Sequence, residues 1–191
     1  MIIVVTGTPG VGKTVLGRLL ARKLGGDFLD VGEFVRREKL YSKYDRSYRT
    51  FVVDERRVRK KVRDFAATHT GRVVVVETHS VGSMVPKLHG MVAIVVRLDP
   101  LVLTRRLKSR KWSKRKVWDN VEAEMIDLSL YEAVKLLGRS SVIEVDATGK
   151  RSPELLNEAL RRLSKTKRKH SRSPDWLDKY DPIELSRRIL Q

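Results

Sequence analysis

Five short apolar, largely β-branched runs punctuate the chain at 2–6, 27–31, 72–77, 91–98 and 141–146, and helical patterns fill the spaces between them. That alternation predicts an α/β fold with a five-stranded parallel sheet flanked by helices. The third and fourth runs contain Val73-Val74-Val75-Val76 and Val92-Ala93-Ile94-Val95-Val96. Strands with no polar residue at every second position must be covered on both faces. Helix starts are marked at Asp99-Pro100 and Ser152-Pro153, where a capping side chain precedes a first-turn proline. Beyond residue 117, Val121, Met125, Leu128, Tyr131, Val134 and Leu137 recur at helical spacing, which predicts one long helix with this stripe in the core.

Two stretches interrupt the alternation. Residues 32–67 read as mostly helical and carry a cluster of cations, and residues 108–118 form a short, very basic segment between two helices. Near the end, 165–172 reads Lys-Thr-Lys-Arg-Lys-His-Ser-Arg, a linker beyond the last core helix. Ile183, Leu185, Ile189 and Leu190 then suggest a short amphipathic helix over 182–191, able to dock on the domain or on a partner.

Chemistry enters immediately after the first strand. Gly7-Thr8-Pro9-Gly10-Val11-Gly12-Lys13-Thr14 fits the phosphate-loop pattern G-x-x-x-x-G-K-[ST], with a strand before it and a helix after it over 13–24. Its glycines let the backbone turn so that successive N–H groups converge on an anion, and the helix N-terminus adds unpaired donors. The expected cradle for ATP is Gly10, Val11, Gly12, Lys13, Thr14 and Val15. Lys13 reaches the β- and γ-phosphates, and the Thr14 hydroxyl is the expected side-chain ligand of Mg²⁺.

At 191 residues the chain suits one domain with a substantial core. It has no cysteine, so disulfides and thiolate metal sites are excluded. No apolar run approaches the roughly 18–20 residues of a membrane span, and the N-terminus enters strand and loop directly; a cytoplasmic location is expected. The 41 lysines and arginines against 23 acids leave a formal charge of +18. A kinase of small nucleotides needs only a handful of cations around its phosphates, so the surplus points to a polyanion or an acidic partner surface. A charge-rich thermophile surface would explain many charges but not their one-sided sign.

A helical insert after the second strand plus a small basic lid after the fourth is the layout of nucleoside monophosphate kinases. The chain resembles one branch of them, the adenylate kinase isoenzyme 6 family. The strings that carry the resemblance are the loop itself, Val31-Gly32-Glu33 through Leu40-Tyr41, Tyr44-Asp45, Asp54-Glu55-Arg56-Arg57-Val58 and Glu77-Thr78-His79. Arg106-Leu107-Lys108-Ser109-Arg110, Asp119-Asn120, Glu124 and Tyr131-Glu132-Ala133 continue it, covering about residues 1–160 in order. The resemblance implies a kinase domain over 1–164, with a nucleoside-monophosphate insert at about 30–53, a lid at about 108–118 and a basic extension at 165–191. It implies transfer between ATP and AMP or other nucleoside monophosphates, and ATP hydrolysis during late maturation of the small ribosomal subunit. There a platform ribosomal protein of the small subunit is the implied partner, close to rRNA.

Further site residues follow. Glu77 ends the third strand beside the loop, where a Walker B acid sits, and would hold a Mg²⁺-bound water or orient an attacking one; the usual residue is aspartate. His79 matches the family's acid-x-His motif and is expected to position water or acceptor phosphate. Ordinary adenylate kinases carry an arginine-bearing loop at this point, where this chain has Thr78-His79-Ser80. Arg106 and Arg110, four apart on one helical face, could converge on one triphosphate. Their basic neighbours leave a solvated face as the alternative. Arg36 matches the family's acceptor-phosphate arginine, with adjacent Arg37 as a surface charge. Lys150, after the fifth strand, lies where P-loop kinases pass the adenine ring. A small-metabolite kinase of the shikimate or gluconate type is a competing reading, disfavoured by the Asp54-Glu55-Arg56 and Glu77-Thr78-His79 strings.

Overall fold

The computed structural model describes residues 1–46, 50–164 and 174–191. Its elements in chain order begin with β1 (Ile2–Thr6), α1 (Lys13–Lys23), β2 (Asp27–Asp30), α2 (Val31–Arg37), β3 (Tyr41–Asp45), β4 (Thr50–Val53) and α3 (Glu55–Thr68). They continue with β5 (Val74–Glu77), α4 (Val81–Met84), β6 (Met91–Arg97), α5 (Pro100–Ser109), α6 (Lys114–Met125) and α7 (Leu128–Leu137). The last are β7 (Val142–Asp146), α8 (Ser152–Leu163), α9 (Trp176–Lys179) and α10 (Pro182–Leu190). A five-stranded parallel sheet runs in the order β2-β5-β1-β6-β7.

The unbroken valine runs divide between two cores. On one face Ile3, Val5, Val75, Ile94, Val96 and Val145 pack with α1, α5, α6 and α8. On the other, Val4, Val74, Val76, Ala93 and Val95 pack with α2, α3 and α4. Successive residues of a strand point to opposite faces, so each run must be apolar throughout to serve both layers.

Two expectations are corrected. The stretch after residue 117 is not one helix. It breaks at Asp127, which sits at φ 58, and Leu128 and Tyr131 are exposed. The reason lies in the sheet: α6 contributes Val121 and Met125 to one core, whereas α7 contributes Ala133 to the other. A straight helix cannot cover both faces. Aspartate tolerates the left-handed backbone the turn requires, and its carboxylate meets Arg97. Likewise the stretch 32–67 is only partly helical, because β3 and β4 pair as an antiparallel hairpin with Tyr41, Tyr44 and Phe51 in contact.

Residues 174–191 pack into the body of the protein. Trp176, Leu185 and Ile189 are buried in the same core as Ile3, while Ile183 and Leu190 remain exposed. The basic 165–172 run lies outside the described residues.

Candidate functional site

The strand order sets β5 between β2 and β1, so the C-terminal ends of these three strands lie side by side. Asp30 and Glu77 are register partners across β2 and β5, and the 7–14 loop leaves β1 next to them. Glycine is required where the loop starts: at Gly7, φ is 142 and a Cβ would lie 2.4 Å from the Val96 carbonyl oxygen. Gly12 at φ 112 is the N-cap of α1, so the loop delivers its backbone straight into a helix N-terminus.

These elements enclose a cleft of about 350 Å³ that is lined by Gly10, Gly12, Lys13, Thr14 and Val15 of the loop. Asp30, Arg36, Glu77, His79, Arg110 and Trp112 complete its walls. The Lys13 ammonium donates to the Thr8 carbonyl at 3.2 Å and lies 3.7 Å from Glu77 Oε1. Thr14 Oγ1 donates to Glu77 Oε2 at 3.2 Å. Burial pulls the Lys13 pKa below the ordinary lysine value, and Glu77 opposes the shift. Burial pushes the Glu77 pKa up and the Asp30 charge adds to it, against the pull of Lys13. The two charges therefore sustain each other in a desolvated place. Burial, with Lys13 nearby, lowers the His79 pKa, so its imidazole is neutral near pH 7 and can accept a proton.

Arg36, not Arg37, faces this cleft; exposed Arg37 covers the Phe34 ring and pairs with Glu38. The two lid arginines part company. Arg110 lines the phosphate cleft, whereas Arg106 donates to the Gly10 and Val11 carbonyls at 3.2 and 3.3 Å. Arg106 lines a second pocket of about 230 Å³ with Val11, Val15, Lys150 and Leu155. Arg110 is the C-cap residue of α5, and the two arginines line neighbouring pockets that share Gly12 and Val15. Lys150 itself is tied to the Asp146 carbonyl and to Glu158.

Sequence reasoning overlooked Asp30 and Trp112. Asp30 had one signal, a strand-ending acid three residues before Glu33, whose backbone N–H it caps at 2.9 Å. Trp112 is the one apolar side chain in the run 108–116.

Thr14, Glu77 and Asp30 offer hard oxygen donors, which suit magnesium. Among the described residues no three acids, histidines or cysteines cluster into a closed metal cage. No helix among the described residues is long and apolar enough to cross a membrane.

Comparison with known proteins agrees with this architecture. Residues 3–127 match the AAA domain family. A Thermococcus gammatolerans protein named "Putative adenylate kinase" is 38% identical over 183 residues, 96% of this chain and 97% of that protein. A Saccharolobus solfataricus protein of the same name is 36% identical over 162 residues, 84% of this chain and 82% of that one. The Thermococcus match reaches past residue 165, farther than the motif strings do. Among solved structures, shikimate kinase from Bacteroides thetaiotaomicron superposes with a TM-score of 0.56 at 18% identity, covering 85% of this chain and 95% of that one. That likeness speaks for the fold alone. With its loop, sheet order and archaeal relatives taken together, the chain belongs to the AAA-domain P-loop family of nucleoside monophosphate kinases that these archaeal proteins represent.

Proposed function

We propose that the protein transfers the γ-phosphoryl group of ATP to AMP, and more broadly to nucleoside monophosphates, with ATP hydrolysis as a second outcome at the same site. The observation that carries this reading is one cleft lined together by Lys13, Arg110, Arg36, Glu77 and His79. Phosphoryl transfer asks a protein for position and charge rather than covalent chemistry. The loop N–H groups and Lys13 hold the β- and γ-phosphates. Arg110 neutralises charge that spreads over the transferring oxygens, and Arg36 holds the acceptor phosphate in line. Arg106 and Lys150 border the pocket proposed for the adenine end of ATP. Thr14 and Glu77 would hold Mg²⁺, which when bound with ATP supplies charge neutralisation across the β- and γ-phosphates. In transfer, an acceptor phosphate oxygen bonds to the γ-phosphorus as the bond to the β-bridging oxygen breaks, leaving two molecules of ADP. In hydrolysis water replaces the acceptor, and neutral His79 or Glu77 takes its proton.

The same proposal places the protein in late maturation of the small ribosomal subunit, with a platform ribosomal protein and rRNA as partners and a cytoplasmic setting. The resemblance to the isoenzyme 6 family and the +18 charge support it. A second reading, a nucleotide-gated binding module with residual kinase activity, draws on Thr78-His79-Ser80, which leads into short α4 where ordinary adenylate kinases carry an arginine.

The test is a two-substrate assay, ATP with each of AMP, CMP, UMP and GMP against ATP alone. Arg36→Ala is expected to depress transfer to the monophosphate at least tenfold and to leave hydrolysis without acceptor largely intact. Equal loss of both would move Arg36 out of the acceptor site. Hydrolysis with no transfer to any monophosphate would favour the binding-module reading.

A further inference from the structure

The most elaborate polar cluster outside the cleft centres on Glu124, a carboxylate of α6 whose side chain is 1% exposed. Four donors converge on it. Thr8 Oγ1 donates to Oε2 at 2.6 Å, while Arg97 Nε and the Leu98 N–H donate to Oε1 at 2.8 and 3.1 Å. The fourth is the indole N–H of Trp176, 3.4 Å from Oε1, brought in by the C-terminal segment. Arg97 alone would neutralise a buried carboxylate. The Thr8 and Trp176 contacts do something else, because they join a phosphate loop to the end of the chain.

Thr8 is where that joint matters. Its hydroxyl is held by Glu124, and its carbonyl accepts the Lys13 ammonium at 3.2 Å and the Val11 N–H at 3.4 Å. Gly7, Gly10 and Gly12 all adopt positive φ, so the loop has little side-chain anchorage of its own, and Thr8 is buried. The same C-terminal segment also reaches the start of α5, the helix that leads into the lid. Lys179 Nζ and Tyr180 OH donate to Asp99 Oδ2 at 2.7 and 2.6 Å, while Asp99 Oδ1 caps α5 through the Leu101 and Val102 N–H groups. α5 in turn carries Arg106 back onto the Gly10 and Val11 carbonyls. Trp176 itself is buried, so this end of the chain is built into the core.

We propose that Glu124 is a positioning residue for the phosphate loop, aiming Lys13 through Thr8, and that Trp176 of the C-terminal segment holds the Glu124 carboxylate in that aim. The inference rests on the nucleotide-binding reading of the cleft. A hydrogen bond between a hydroxyl and a buried carboxylate fixes where the Thr8 carbonyl points, and hence where the ammonium rests before ATP arrives. Without it the loop samples other arrangements, and ATP binding must supply the ordering.

The experiment compares Thr8→Val, Thr8→Ser and Trp176→Phe in the full chain by ATP·Mg²⁺ titration calorimetry, steady-state kinetics and thermal unfolding without nucleotide. Thr8→Val keeps the shape and removes the donor, Trp176→Phe keeps an aromatic ring and removes the N–H, and both leave the Arg97 and Glu124 side chains themselves in place. Thr8→Val is expected to weaken ATP binding about ten- to a hundredfold, the scale of one hydrogen bond to a charged group, and Thr8→Ser to restore it. Trp176→Phe is expected to weaken it about two- to fivefold, with the Thr8→Val/Trp176→Phe double variant little worse than Thr8→Val because both act through one carboxylate. Lower unfolding temperatures with unchanged ATP affinity in both single variants would overturn the proposal and leave the cluster a stabilising one. So would additive losses in the double variant. Lys13→Ala, titrated alongside, separates the two levels. If it binds ATP normally the cleft assignment itself fails, whereas normal binding by Thr8→Val beside a weakened Lys13→Ala defeats only the positioning role.

Discussion

Arg97→Met puts the buried charge network to a quantitative test. Arg97, Glu124 and Glu144 have side chains 2%, 1% and 3% exposed, and Arg97 also pairs with Asp127 at the break between α6 and α7. Methionine keeps much of the length and removes the cation. Glu144 retains Arg139 at 2.6 Å, whereas Asp127 is only part-exposed and the oxygen that meets Arg97 is buried, so it loses its partner. Glu124 retains only the donors from Thr8, Leu98 and Trp176. Removing one partner of a buried ion pair costs about 3–5 kcal/mol, and those remaining donors place this case near the lower end. A loss of about 3 kcal/mol, at about 2–4 °C per kcal/mol for a chain of this size, lowers Tm by about 6–12 °C. Burial already holds the Glu124 pKa above its ordinary value, with Arg97 the largest opposing influence, so the substitution raises it further. A group whose folded pKa exceeds its unfolded one stabilises the fold in acid and loses that contribution as pH rises through the folded pKa. The penalty of Arg97→Met is therefore largest at alkaline pH and shrinks as Glu124 takes a proton. Urea unfolding of both proteins at pH 8 and pH 5.5 measures it. Adding Glu124→Gln to Arg97→Met should recover most of the loss, since the unpaired charge is gone. A difference below about 1 kcal/mol at pH 8, or one that widens in acid, would refute the reasoning.

Lys13→Ala is expected to abolish both phosphoryl transfer and hydrolysis, because Lys13 is the one cation of the 7–14 loop; near-normal turnover in a coupled ADP assay would refute the site. The lid should close over nucleotide, since Arg110 and Lys13 line one cleft as like charges and both gain an anionic partner when ATP arrives. Amide exchange across 108–118 should slow on adding ATP·Mg²⁺, and unchanged exchange would sink the picture of a closing lid.

The legible part of this protein was set by local rules. A strand buried on both faces has to be apolar at every position, so β1, β5 and β6 stand out in the sequence to within two residues at each end. The phosphate loop was equally plain, because only glycine tolerates the close approach of Gly7 to Val96 and only a helix N-terminus completes the cradle. Less was legible where two distant segments had to agree. The periodic stripe from Val121 to Leu137 looked continuous because a helix on one face and a helix on the other share the same spacing. Only the sheet between them, and Arg97 waiting for Asp127, forces the break. Arg106 and Arg110 are four apart on the chain, yet only the packed fold assigns one to each of two neighbouring pockets.

By itself, then, the sequence determined the layers, the loop and the chemistry available to it, since periodicity and backbone sterics act within a few residues. Tertiary structure alone decided which charges meet. It set Asp30 beside Glu77 through strand order and threaded Trp176 through Glu124 to the loop. The physical reason is that a carboxylate or a cation has no preferred partner along the chain. Its partner is whichever group the packed core desolvates next to it, and that is known only when the fold is complete.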